Sequence, residues 1–307
     1  MTLGIIINQI FILFGMLALG VLAYKFHMVD ENANEALSSL LLKVTMPCTL
    51  IAAGCVDTYG VRTMELVKMT VVFIGYYVLA LLLMASIAKG LKIKGEKGII
   101  FRISGVFANN GFIGIPLVAG ILGDQGIVFV ALSMMVYNLI YFTYGVTMYQ
   151  TNGKPQLRGL ISPANAAAVI MLIMVLTGLR PPAPVQTLCE QVGACTTPLS
   201  MMIIGVMLGS CNARQVIKNK LVWFISLVRL VIVPVLFMVC ILPLRLGYIE
   251  NMVFAIVTAC PVGCFGPVVA RQYHVEPELA SMAVVHSTAL LMVTMPCILL
   301  FANWLYT

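Results

Sequence analysis

The sequence predicts an all-α polytopic membrane protein: ten transmembrane helices arranged as two inverted five-helix repeats, with broken helices at positions four and nine. Three observations carry that reading. The 307 residues are 61% hydrophobic and 9% charged, with a mean hydropathy of +1.05, which is more apolar surface than a soluble core can hide. Thr45, Pro47, Thr49 and Gly54 recur as Thr196, Pro198, Ser200 and Gly205, and Pro116-Leu117-Val118-Ala119 recurs as Pro267-Val268-Val269-Ala270, offset by 151 residues both times. Glycine and proline interrupt apolar segments at matched places in the two copies, a pattern of paired half-helices meeting at a repeat interface.

Hydropathy and loop punctuation put the spans at roughly 3–24, 36–56, 64–88, 98–122, 126–149, 160–179, 187–211, 220–246, 250–272 and 278–304. The first run, Leu3 to Tyr24, has no basic leader region and no small-residue cleavage site, so it reads as a span and not as a removed signal peptide. The seventh is the most polar, and Gln186 to Thr197 is expected to be partly loop. Five spans per copy is an odd number, so the second copy enters the bilayer upside down relative to the first. The domains are then 1–149, a short cytoplasmic linker at 150–159 and 160–307.

Orientation follows from lysine and arginine. Loops on one side hold Lys25, Lys89, Lys92, Lys94, Lys97, Arg102, Lys154, Arg158, Arg214, Lys218, Lys220 and Arg271; the other side holds Arg62, Lys68, Arg180 and Arg245. The positive-inside rule puts both termini outside. The net charge of +7 is therefore a topology determinant, and no nucleic-acid partner is expected. Of the nine cysteines, Cys48, Cys55, Cys240, Cys260, Cys264 and Cys297 lie in apolar segments, where a thiol acts as a small hydrophobe. Cys189 and Cys195 share a predicted loop and would pair there if it faced an oxidising compartment.

Segment four reads Ala108-Asn109-Asn110-Gly111-Phe112-Ile113-Gly114-Ile115-Pro116, and segment nine reads Cys260-Pro261-Val262-Gly263-Cys264-Phe265-Gly266-Pro267. Proline removes a backbone donor and glycine loosens the helix, which frees polar backbone groups at a depth where lipid offers no partner. A single such break is an ordinary kink in a membrane helix. Matched breaks in both copies point to a binding site at the repeat interface, where half-helix N-termini favour anions.

These residues resemble the auxin efflux carrier family, which includes bacterial malate and malonate carriers and plant auxin exporters. The likeness rests on the ten-span layout, the Thr-x-Pro of segment two, Asn109 to Pro116, and the Arg-Leu-Val-Ile-Val-Pro stretch at Arg229 to Pro234. It implies a crossover of segments four and nine, separate scaffold and transport domains, carriage of small organic anions by an elevator-like movement, and a homodimer. Carried over by position, Asn109, Asn110, Gly111 and Pro116 form the first crossover and Pro261, Gly263 and Pro267 the second, with Asn138 facing the site. Cys260-Pro261 stands where the first copy has Asn109-Asn110, so the two halves of the site are chemically unequal. The resemblance implies an acidic residue in or near the second crossover for a sodium-coupled relative; none lies between Met252 and His274, so a sodium site is not expected.

Other intramembrane polar residues divide between packing and function. Thr45 and Thr49, with Thr196, Thr197 and Ser200, flank Pro47 and Pro198; their hydroxyls bond back to the preceding turn or face the cavity. Lys43 snorkels or pairs with a carboxylate. Arg229 is structural or a substrate counter-charge. His286 is a packing group or a proton relay. Arg271 and His274 line the cytoplasmic end of the second crossover. Asp57, Glu65 and Asp124 read as loop charges, the 20 methionines as adaptable packing, and no metal or other cofactor is expected. Nucleotide-binding, HExxH and GxSxG patterns are absent from the sequence, which leaves an enzyme without an anchor. The expected function is secondary transport of a small carboxylate across a cell membrane, with a zwitterionic or neutral solute as the alternative and a channel or membrane enzyme as distant ones.

Overall fold

The structure, a computed structural model, describes residues 3–55, 63–150, 161–211 and 213–306. Asp57, Arg62, Lys154, Arg158 and all of the 150–159 linker except Gln150 lie outside them. Helix covers nearly everything described. After α1 (Leu3–Lys25), the Asp30 carboxylate accepts from the Ala33 amide at 2.8 Å and starts α2 (Glu31–Leu40). One π-helical turn, Leu41–Thr45, joins α2 to α3 (Met46–Cys55). Pro47 explains that turn: its ring would clash with the carbonyl four residues back, and a widened turn gives it room without breaking the helix.

The uninterrupted α4 (Thr63–Gly90) is followed by α5 (Gly95–Val106). The chain then leaves the helix, re-enters through a π turn at Asn110–Gly114 just before Pro116, and continues as α6 (Ile115–Ile140), which bends at Gly123 (φ 68°). Next come α7 (Pro163–Thr177), capped by Ser162, then α8 (Ala183–Ala194) and α9 (Thr196–Ser210). The segment expected to be partly loop is therefore helical; Pro182 opens α8 and Thr196 and Pro198 open α9, positions where a missing amide costs little. The short α10 (Ala213–Lys218) precedes α11 (Lys220–Leu227), another pre-proline π turn at Val228–Ile232, and α12 (Val233–Ile241) with Pro234. The chain ends with α13 (Tyr248–Ala259), α14 (Phe265–Gln272) and α15 (Pro277–Tyr306).

Among the described residues, six helical stretches are long and apolar enough to cross a membrane: Glu31–Cys55, Thr63–Gly90, Asn110–Tyr149, Ala183–Ser210, Lys220–Leu244 and Pro277–Tyr306. Phe11–Lys25, Pro163–Thr177 and Tyr248–Ala259 are shorter apolar helices.

The chain forms two compact units, each drawing on both halves of the sequence. One comprises Met1–Thr70, Gly111–Met135 and Ile161–Ser210; the other comprises Val71–Asn110, Val136–Leu160 and Cys211–Thr307. In the first unit α1 packs on α9 through glycine. A Cβ at Gly205 would lie 2.1 Å from the Leu17 carbonyl oxygen and 2.8 Å from Gly20 Cα, so only glycine lets these backbones meet. Here too α3 packs against α7 and α8. In the second unit α13, almost wholly buried, packs on α12 and α15.

The helical setting also corrects the expected Cys189–Cys195 loop. Cys189 is on α8 and Cys195 is its C-terminal cap. Six residues at about 100° each turn the two thiols to different faces: Cys189 is buried, Cys195 exposed, and all nine cysteines are free thiols.

Candidate functional site

The two breaks meet inside the second unit. Phe107 to Asn109 and Pro261 to Gly263 run antiparallel, paired at Ala108 and Val262. Asn109 N donates to the Pro261 carbonyl at 2.8 Å and Gly263 N to the Phe107 carbonyl at 2.9 Å. Each break thus supplies hydrogen-bond partners that the other lost when its helix stopped. The approach is tight at Gly263: a Cβ there would stand 3.1 Å from the Phe107 oxygen and 3.2 Å from the Tyr137 hydroxyl, so a side chain would press these neighbours back by a few tenths of an ångström. The Val262 amide, pointing away from its partner strand, donates to Ser287 Oγ on α15 at 3.1 Å.

The ends of α5 and α13 leave carbonyls without intrahelical partners, and Arg229 collects them. Its Nε donates to Cys260 O at 2.9 Å, Nη1 to Gly105 O and Val106 O at 3.2 Å and to Tyr76 Oη at 2.9 Å, and Nη2 to Thr258 O at 2.8 Å and Val257 O at 3.4 Å. The residue is fully buried. Each helix C-terminus carries about half a negative elementary charge, so two of them together offset one guanidinium. Its donors are engaged with backbone carbonyls and Tyr76.

Aromatic rings enclose the break. Phe107 stacks on Tyr77 at 6.0 Å and meets the edges of Tyr137 at 5.3 Å and Tyr141 at 4.9 Å. Tyr77 Oη accepts from Asn110 Nδ2 at 3.1 Å, and Asn109 Nδ2 donates to Cys264 Sγ at 3.0 Å. Tyr149 Oη donates to the Gly266 carbonyl at 3.4 Å, fixing the start of α14.

The predicted site residues divide between the units. Asn109, Asn110, Asn138, Pro261, Gly263, Pro267, Arg229, Arg271 and His286 belong to the second. Asn109, Asn110, Pro261 and Gly263 come together at the break with Arg229 beneath it. Asn138 is buried on α6, next in sequence to Tyr137. His286 is buried on α15, its Nδ1 2.7 Å from Ser226 Oγ and its ring 4.4 Å from that of Trp223; Arg271 is exposed at the end of α14. Thr45, Pro47, Thr49, Gly111, Pro116, Thr197, Ser200 and the exposed Lys43 belong to the first unit. There Thr49 Oγ1 lies 2.7 Å from Thr196 Oγ1, 3.0 Å from Gly193 O and 3.1 Å from Thr45 O, while Thr45 and Ser200 bond back to Leu41 O and Thr197 O. Of the Thr45, Thr49 and Ser200 hydroxyls only that of Thr49 links helices; those of Thr45 and Ser200 bond within their own helical segments.

Sequence reasoning missed Tyr76, Tyr77, Tyr137 and Ser287. The adjacent tyrosines in the middle of the apolar α4 were the available sign, since a buried phenol needs a polar partner. Among the described residues, no three His, Cys, Asp or Glu side chains are grouped to hold a metal.

Comparison with known proteins gives the same direction. The sequence matches the membrane transport protein family over residues 5–159 and again over 148–299. The chain belongs to that family. This is the auxin efflux carrier family that the crossover residues resemble. It is similar to an uncharacterised transporter of Methanocaldococcus jannaschii, 22% identical over 290 residues covering 89% of this chain and 91% of that one. It is likewise similar to one of Methanothermobacter thermautotrophicus, 21% identical over 286 residues covering 92% and 93%. Family membership and the run of long apolar helices make the chain a multi-pass membrane transport protein.

Proposed function

We propose that the protein is a secondary carrier of a small organic anion, a carboxylate such as malate, malonate or an indole acid, and not an enzyme. In this reading ten spans form two inverted repeats in a cell membrane, both termini lie outside, the carrier works as a homodimer, and the second unit moves by an elevator-like alternating access. The observation that carries the reading is the antiparallel pairing of the two breaks at Ala108 and Val262. Backbone outside a helix at membrane depth is tolerated where it is covered by protein or lines a cavity. The region offers a solute the amide of Asn109, the hydroxyl of Tyr137 facing Gly263, and the N-terminus of α14 immediately after the break. The last of these favours negative charge. Arg229 is balanced by two helix ends, so it leaves the anion to neutral donors, which hold a carboxylate loosely enough to release it.

Uptake of labelled malate, malonate and indole acid into proteoliposomes tests this. Saturable uptake of one of them, reduced about ten-fold or more by Asn110→Ala in a protein that still folds, is expected; a loss of that size corresponds to about 1.4 kcal/mol of binding. No uptake of any anion, or uptake indifferent to the substitution, overturns the assignment. Uptake of an amino acid in their place would establish the zwitterion reading.

A further inference from the structure

The first unit holds a pair of neighbouring thiols away from the paired breaks. Cys48 on α3 and Cys189 on α8 are neighbours close enough for each thiol to act on the other. The helices are in backbone contact one turn away: Thr49 Oγ1 bonds the Gly193 carbonyl at 3.0 Å, and a Cβ at Gly193 would lie 2.9 Å from the Thr49 amide nitrogen. Cys189 precedes Gly193 by four residues and so shares its face of α8. Close helix approach of this kind brings Cβ atoms within the span a disulfide bridges. The thiols also differ in access, Cys48 being half-buried and Cys189 only 4% exposed.

We propose that Cys48 and Cys189 are an oxidisable pair whose disulfide staples α3 to α8, a modification site within the unit that carries the Thr-x-Pro motifs. The chemistry is thiol–disulfide exchange with an external disulfide as oxidant. The Cys48 thiolate attacks one sulfur of that disulfide, forming a mixed disulfide and expelling the first external thiolate. The Cys189 thiolate then attacks the Cys48 sulfur and expels the second. Two cysteine thiols are oxidised, one external disulfide is reduced to two thiolates, and the two protons leave the cysteines for them. Cys195, on another face of α8 and exposed, has no part in it.

Purified full-length protein in detergent is treated with dithiodipyridine, a small apolar disulfide, and digested without reduction for peptide mass analysis. The expected result is a peptide pair joined through Cys48 and Cys189, lighter by two hydrogens and separated by a reductant, in both wild type and Cys195→Ser. Cys189→Ser stops at the pyridyl mixed disulfide on Cys48, and Cys48→Ser leaves Cys189 unmodified. Absence of the Cys48–Cys189 link in wild type, under conditions where exposed Cys195 carries the pyridyl group, overturns the proposal. So does Cys189 linked instead to Cys55 or Cys195. Oxidation is also expected to raise the thermal midpoint of wild type and to leave that of Cys48→Ser unchanged.

Discussion

The Thr-x-Pro pair of the first unit and the paired breaks of the second both interrupt apolar segments, and the prolines near them, Pro47 with Pro198 and Pro116 with Pro267, recur 151 residues apart. They end differently. At Pro47 a single π turn absorbs the ring and the helix continues. At residues 107–109 and 260–264 the helix stops, and each extended piece relies on the other, on Ser287 and on Arg229. Proline alone therefore does not open a membrane helix. What distinguishes the breaks is that two extended pieces lie side by side and pair at Ala108 and Val262, together with a cation set where two helix C-termini converge.

The comparison is broken most severely at Arg229. Replacing it with Met keeps much of the volume and removes every hydrogen bond to Gly105, Val106, Val257, Thr258 and Cys260. Buried acceptors left unsatisfied cost about 1–3 kcal/mol each, so a total loss of about 4 kcal/mol or more is expected, read as a collapse in yield and thermal midpoint. Arg229→Lys recovers only part, because an ammonium cannot reproduce the planar fork. An Arg229→Met protein that melts like wild type would mean that the converging ends need no cation.

Much of this was legible in the sequence, and the part that was not has a physical reason. Breaks announce themselves because glycine and proline act locally on the backbone, so Asn109 to Pro116 and Pro261 to Pro267 could be found by reading along the chain. Arg229 could be found as an intramembrane charge, but its partners lie at 76, 105–106 and 257–260, and no periodicity relates those positions. The helix at 183–194 was obscured by its own polarity: Gln186 and Glu190 read as loop residues, yet their side chains bond to each other across one helical turn. Contacts group residues 1–70 with 161–210; packing between non-consecutive helices is invisible to a scan along the sequence.

The next largest effect lies on the other side of the comparison. Gly205→Val would drive a branched side chain into the α1 backbone at Leu17 and Gly20, where no flexible side chain can yield. About 3 kcal/mol of destabilisation is expected, the upper end of overpacking, and a thermal melt of the purified variant measures it. A Gly205→Val protein as stable as wild type would show that α1 and α9 are not held by close approach. Within the second unit, Ser287→Ala removes the acceptor of the Val262 amide. The cost is about 2 kcal/mol, and uptake is expected to fall about ten-fold or more, because the extended strand loses its register; uptake unchanged beside a lowered melting point would confine Ser287 to stability.

The smallest effect is the most diagnostic of the difference between the two motifs. Thr49→Val keeps shape and removes the hydroxyl that lies between Thr196, Gly193 and Thr45. The Thr45 carbonyl faces its own helix and Thr196 can turn its hydroxyl to another acceptor, so the loss is one ordinary hydrogen bond, about 1 kcal/mol. Solute affinity should stay within about two-fold of wild type, since about 0.4 kcal/mol or less separates values that close. If Thr49→Val instead abolishes uptake while the melting point holds, the Thr-x-Pro motif is part of the binding site, and the division between a unit that is held together and a unit that binds fails at that residue.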